Sequence, residues 1–486
     1  MSGSEQFSSR IALLLSTMGM AIGAGNIWRF PRLAGQYGGA FLLPWLLFLF
    51  LWSIPLIMVE FAMGKQSRRG PIGAFAHFLG ERFAWMGGFV ALCTMFIMFY
   101  YSVVTGWALK YFTASLTGSL LHADHQAFWE RFTGSGLEPV VFHLLALSAG
   151  ALVISRGVVM GIERANKILL PSLFVLLIIG CIRAVTLPGA EVGLRYYLTV
   201  EPDQLLNYKV WLEALSQSAW STGAGWGLVL TYAVYIRERE DITLNSVFTG
   251  VGNNVASLFA GLAIIPTVFA LSGSLEEAHK ALSAGNQGLS FIVIPQLFSQ
   301  LPGAQLFMAI FFMALFFAAL SSLISMLELA TRLFMDFGFA RKKALTIVYL
   351  ITLLMGIPSA VSMNVFNNQD WVWGLGLIVS GSFFTFAVLK YGVERFRRTF
   401  LDVRYNDLRV GPWFNGLMRG LIPAEALIML GWWFYQSIQW DPQHWWDPLS
   451  PFSLVTCLVQ WGVLVACLLV LNHRLAAWLV PIPTDR

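Results

Sequence analysis

The chain has 486 residues, of which 57% are hydrophobic and only 12% charged, with 39 Phe and 19 Trp. Its mean hydropathy of +0.67 excludes an ordinary soluble domain and predicts a polytopic membrane protein. The formal net charge of +5 follows from a loop asymmetry described below, so it implies no nucleic-acid partner.

A spanning helix needs about 20 largely apolar residues. Twelve such runs follow one another, roughly at 10–37, 41–64, 84–112, 138–155, 166–187, 208–236, 243–272, 304–335, 343–361, 370–392, 415–438 and 451–480. They are long and unalternating, which favours helices over a barrel. With the N-terminus in the cytoplasm, 23 of the 31 Lys and Arg fall inside, among them Arg10, Lys65, Arg68, Arg69, Arg341, Lys342, Lys343 and Arg486, and seven between Lys390 and Arg419. Both termini are therefore expected to be cytoplasmic. Met1–Gln6 carries no signal-peptide n-region or cleavage site, so the first helix is expected to be retained. Cys93, Cys181, Cys457 and Cys467 fall within runs and are expected to pack as free thiols. No Asn-X-Ser/Thr sequon occurs and the loop near 113–137 is short, which points to a bacterial inner membrane.

The loops are too short for further domains, so one integral domain is expected. The segments 187–207 and 273–303 carry the Pro, Gly and polar residues of external loops or lids. "KYGVERFRRTFLDVRYNDLRVG", after the tenth run, reads as a solvated basic cytoplasmic connection. His122 and His125 lie in an external loop, where solvation is the simpler reading than metal binding. No HExxH, P-loop or intramembrane His/Cys cluster suggests an enzyme.

Two runs differ from the rest. Run one holds Gly19, Gly23 and Gly25 with Asn26 and Arg29; run six holds "SQSAWSTGAGWG", with Gly223, Gly225 and Gly227. Glycines alone would serve close helix packing. An amide and an arginine deep in a span would not, because an arginine there costs about 2.5–3.5 kcal/mol without a watery or paired environment. Paired, interrupted helices five spans apart point instead to an inverted-repeat transporter.

"SSRIALLLSTMGMAIGAGNIWRFP", "GGAFLLPW", "IPLIMVEFAMGK", "YYSVVTGWALKYF", "GIERANKILLP", "LPGAEVGLRYYL" and "FFAALSSLISMLE" resemble the neurotransmitter:sodium symporter family, from about residue 5 to residue 395. The resemblance implies an all-α, LeuT-like fold of twelve transmembrane helices. Its inverted repeats would span 5–190 and 205–395, with helices one and six discontinuous and peripheral helices at 413–482. It implies a sodium-coupled amino-acid symporter working by alternating access, with the bilayer and a small amino acid as its partners and no obligate protein partner.

By that resemblance, one Na⁺ is held by the Ala21 carbonyl, Asn26, Ser221, Asn253 and the substrate carboxylate. A second is held by the carbonyls of Gly19, Ile22 and Ala318 with the hydroxyls of Ser321 and Ser322. Without it, the serines read as ordinary back-bonding to helical carbonyls. Gly23 stands where the monoamine branch has Asp, so the sequence is similar to amino-acid carriers. The substrate-binding set would be Ala21, Gly23, Ala24, Gly25, Ile97, Tyr101, Trp220, Ser221, Thr222, Gly223, Trp226, Ser322 and Met326. "STGAGWG" is similar to the glycine-carrier branch, which suggests glycine, N-methylglycine or alanine. Gly223 could equally admit a larger apolar side chain, and a proton-coupled carrier of the same architecture stays open.

Chloride would be met by Gln217, Ser221, Asn253 and Ser257, although Trp45 stands in place of a family tyrosine. Arg29 with Asp370, beneath Tyr101 and Trp220, would form the outer gate. Phe7 and Asp336 match the inner gate, whose expected arginine is Ser4 here, with Arg10 close to the helix. The spacing from Gly161 to Pro171 matches a fifth-helix element that unwinds; it also reads as a plain helix start.

Overall fold

The computed structural model describes residues 5–480; Ser4 and Arg486 lie outside the described residues. Every regular element among the described residues is helical. Ten stretches are long and apolar enough to cross a membrane; nine match runs three to five and seven to twelve, and the first, Ala24–Ser67, joins the second half of run one to run two. Runs one and six are each split in two.

The split helices are α1 (Arg10–Ala21) with α2 (Ala24–Tyr37), and α7 (Tyr208–Ser221) with α8 (Leu228–Ala233). Around them stand α3 (Ile54–Ser67), α4 (Ala84–Leu116), α5 (Leu137–Ser155), α6 (Arg164–Val185), α9 (Ile242–Leu271), α10 (Ala304–Asp336), α11 (Arg341–Val361) and α12 (Met363–Tyr391). Helix α1 packs on α6, α9 and α10, and α8 packs on α3. Helices α13 (Ile422–Trp440) and α14 (Leu454–Ala477) lie at the rim, and α14 turns Val463 and Val470 outward, as a face towards lipid requires.

Three expectations need correction. Neither the 187–207 nor the 273–303 segment is an open loop: helix Ala190–Leu198 folds within the first, and helices Leu275–Leu282 and Ile294–Phe298 within the second. His125 is buried at the start of the helix His125–Gly134, which Asp124 caps through the Ala127 N–H, so this residue lies in a folded helix and not in a solvated loop; His122 is exposed. The basic connection is partly packed. Arg397 is 7% exposed and joins Asp402 and Glu394. Hydrogen bonds from Asn415, Arg397 and Arg398 hold the Glu394 carboxyl down at about 2.

Candidate functional site

Run one breaks where its weakest helix formers lie. Ile22 (ψ 100°) and Gly23 (φ −118°, ψ −171°) are extended between α1 and α2. An extended pair leaves main-chain groups unpaired inside the molecule, and side chains take them up. Asn26 Oδ1 accepts the Gly23 N–H at 2.9 Å, and the Tyr101 hydroxyl accepts the Ala24 N–H at 3.0 Å. Gly23 itself has no room for a side chain. A Cβ there would lie 2.7 Å from the Tyr101 hydroxyl and 2.9 Å from Ser322 Oγ.

Run six breaks by different means. Gly223, Gly225 and Gly227 all adopt left-handed φ, at +74°, +87° and +76°, which side-chain-bearing residues avoid. The freed groups are held by Glu60 of α3, whose Oε1 accepts the Gly225 N–H at 2.6 Å and whose Oε2 accepts the Leu230 N–H at 3.1 Å. Ser380 donates to the Gly225 carbonyl, and Thr94 to that of Trp226 at 2.6 Å. Glu60 is fully buried. Sequence reasoning did not place it in the site; its only signal was a carboxylate inside run two.

Between the breaks lies a cavity of about 270 Å³. Of the expected substrate residues it is lined by Ala21, Gly23, Gly25, Tyr101, Trp220, Ser221, Gly223, Trp226, Ser322 and Met326. Ala24, Ile97 and Thr222 are not on its wall; Thr222 turns its hydroxyl back to the Ser218 carbonyl. The space that Gly223 leaves is taken by Met20, whose Cε would stand 3.3 Å from a Cβ.

Polar atoms gather at two places around the first break. At the first, Asn26 Nδ2 donates to Asn253 Oδ1 and to Ser257 Oγ, both at 2.8 Å, and Asn253 Nδ2 donates to Ser221 Oγ at 2.9 Å. Asn253 Oδ1 also lies 2.9 Å from the Ser221 carbonyl oxygen and 3.1 Å from that of Ala21. With the amide turned over, the Asn253 side-chain nitrogen donates to both carbonyls. At the second place, Ser321 Oγ donates to the Ala318 carbonyl at 2.9 Å and reaches the Ile22 carbonyl at 3.4 Å, while Ser322 Oγ donates to the Met20 carbonyl at 3.0 Å. Gly19 lies against Ser321 and against Asn166, whose buried Oδ1 has no hydrogen-bond partner. Asn166, in α6, was not anticipated.

Gln217 lines the cavity with both amide atoms buried and unpartnered, and the Trp45 indole Nε1 is likewise a buried donor without a partner. Above, Arg29 and Asp370 both face the cavity, but the expected ion pair between them is not made. Arg29 Nη2 instead donates to Ser216 Oγ at 2.9 Å, lies 3.9 Å from Glu213 Oε2, and has its guanidinium 5.5 Å from the Trp220 ring centre. Glu213, Ser216 and Trp220 are spaced i, i+3, i+7 on α7, so one helix face holds the whole cation.

At the opposite end, Asp336 pairs with Arg332 at 2.8 Å and accepts the Gly70 N–H at 2.6 Å. Phe7 is buried, with its N–H on the Tyr235 carbonyl at 3.1 Å and its ring 5.9 Å from Tyr232. Arg10 turns to Asp407, Asp241 and Glu240, at 3.5, 3.7 and 3.9 Å. Gly161 lies in a π-helical stretch, Val158–Glu163, at the foot of α6, and Pro171 lies inside that helix.

The sequence model described as the sodium:neurotransmitter symporter family matches residues 4–138 and 139–477. The chain belongs to that family. This transporter is similar to an uncharacterized sodium-dependent transporter of Methanocaldococcus jannaschii, 35% identical over 365 residues, covering 72% of this chain and 74% of the relative. It is similar, too, to the sodium-dependent serotonin transporter of Drosophila melanogaster, 28% identical over 81% of this chain and 70% of that one. Among solved structures, that of MhsT in complex with L-phenylalanine superposes with a TM-score of 0.77 at 30% identity, over 88% of this chain and 99% of MhsT. The protein is accordingly a sodium-dependent multi-pass membrane symporter of the LeuT-like fold and not an enzyme.

Proposed function

We propose that the transporter carries a small neutral amino acid with Na⁺ by alternating access, across a bacterial inner membrane with both termini in the cytoplasm. Glycine is the leading substrate, with N-methylglycine and alanine next. The observation that carries this reading is the packing around Gly23. No side-chain carboxylate fits between Tyr101 and Ser322, so the negative charge that belongs beside the α2 N-terminus must come with the substrate. The substrate amine then meets carbonyls of the two breaks. Met20 beneath Gly223 and the Trp226 indole leave little depth for a side chain.

In this reading one Na⁺ is held by the Ala21 carbonyl, Asn26, Ser221, Asn253 and the substrate carboxylate, and a second by Gly19, Ile22, Ala318, Ser321 and Ser322. The gathering of the Asn26, Asn253 and Ser221 side chains and the Ala21 carbonyl at one buried place supports the first site. Inward Na⁺ movement supplies about 2.3 kcal/mol per charge per 100 mV. The inverted repeats are assigned to 5–190 and 205–395, with 413–482 peripheral. Chloride is a third participant, near Gln217, Ser221, Asn253 and Ser257; the buried, unpartnered amide of Gln217 supplies a donor for it. The outer gate closes when Arg29 leaves Glu213 and Ser216 for Asp370.

A second reading, transport of larger hydrophobic amino acids, is favoured by the L-phenylalanine bound to MhsT. Uptake of labelled glycine and of labelled phenylalanine into proteoliposomes separates the two. Glycine uptake that vanishes when K⁺ replaces Na⁺ and falls in gluconate is expected. Phenylalanine uptake unaffected by excess glycine would sink the small-substrate assignment.

A further inference from the structure

The end of the molecule that carries the N-terminus lacks the arginine its family pattern calls for, and Asp336 is already satisfied by Arg332 and the Gly70 N–H. Another connection holds the N-terminal segment down. Ser8 donates its N–H to Glu163 Oε2 at 2.9 Å and its hydroxyl to Glu163 Oε1. Glu163 is 2% exposed and is also bound by Lys167, one turn further on, at 2.6 Å. From the other side, Glu5 Oε2 accepts the Val158 N–H at 2.8 Å and its carboxylate packs against Gly157, which has φ +81°. Val158 and Glu163 are the two ends of the π-helical stretch. Residues 5–8 are thus stitched to both ends of one irregular turn.

That turn is intrinsically weak. A π stretch pairs its main chain poorly, and the first N–H groups of any helix have no partner of their own. Bonds from outside therefore decide whether it stays wound. We propose that the inner gate of this transporter is latched by Glu163 holding Ser8, with Glu5 as a second clasp on Val158, in place of an arginine–aspartate pair. Lifting of the N-terminal segment and loosening of the foot of α6 are then one event. Glu163 and Ser8 are positioning residues, remote from the substrate cavity, and Glu5 and Ser8 are exposed, so water can compete for the latch. The proposal rests on the alternating-access reading above.

The test uses the full-length transporter in nanodiscs and proteoliposomes, with Ser8→Ala, Glu163→Ala and the double variant. Amide hydrogen exchange in Na⁺ is followed across 157–166, with α5 as an internal control. Ser8→Ala removes one hydroxyl from an extended segment, so the fold is kept. It should raise exchange across 157–166 about threefold, Glu163→Ala about tenfold, and the double variant no further than Glu163→Ala, with α5 unchanged. In uptake assays, the Na⁺ concentration for half-maximal rate should rise about threefold in both single variants and no more in the double. Wild-type values in Ser8→Ala, or effects that multiply in the double variant, would overturn the latch. The exchange arm needs no transport: absence of uptake by the wild-type protein would count against the substrate assignment alone.

Discussion

The two breaks look alike in sequence and are built differently. The first is two residues long, has no left-handed φ, and is held by neutral groups, the Asn26 amide and the Tyr101 hydroxyl. The second is six residues long, uses three left-handed glycines, and is pinned by the buried carboxylate of Glu60. A neutral tie can be exchanged for a ligand at little cost. A buried carboxylate gripping two N–H groups cannot, because each stranded group would lose about 1–3 kcal/mol. The first break is therefore the adjustable half of the site, and the second its fixed wall.

Substitutions can break this contrast. The largest effect is expected at Glu60: Glu60→Ala strands the Gly225 and Leu230 N–H groups and should abolish uptake and lower the melting temperature together. Gly225→Ala comes next. It forces a side chain into a left-handed φ, which costs about 1–2 kcal/mol, and brings its Cβ to 2.9 Å from the Gly381 Cα, so stability should fall before affinity is measurable. Gly23→Ala should do the reverse. Its Cβ meets only the Tyr101 and Ser322 side chains near the substrate, so KM should rise at least tenfold with the melting temperature nearly unchanged.

Milder changes sharpen it. Tyr101→Phe deletes one acceptor for the Ala24 N–H and, on the proposed reading, one donor for the substrate carboxylate. A loss of about 1.4 kcal/mol, or tenfold in KM, is expected from uptake kinetics. The smallest effect belongs to Glu213→Gln. The Arg29 contact at 3.9 Å is too long for a hydrogen bond, and such partly exposed pairs contribute about 0–1 kcal/mol. If, as proposed, Arg29 must leave Glu213 for Asp370 to close the outer gate, KM should fall two- to threefold; a rise would show that Glu213 helps to close the gate.

The positions of both breaks were legible because Gly, Asn and Arg are conspicuous in an apolar run and backbone freedom is a local property. The ten unbroken spans followed from run length alone. What escaped depends on facing. Glu60 was visible as a charge in run two, yet its target lies some 165 residues away in sequence. The Arg29 contacts depend on which face α7 presents, and Asn166 and Glu163 on how α6 stands against α1 and the N-terminal segment. Thr222 failed because a free hydroxyl in a last helical turn prefers its own i−4 carbonyl, here Ser218.

On the proposed reading, α1 and α7 end where they do to build a cage for Na⁺ beside a bound amino acid. Equilibrium binding of sodium-22 to the purified transporter, with and without glycine, tests it most directly. Two ions per protein in the presence of glycine, falling to one in Asn253→Ala with its dependence on glycine lost, is the predicted result. Unchanged stoichiometry in Asn253→Ala, or no sodium-22 retained at all, would contradict the account.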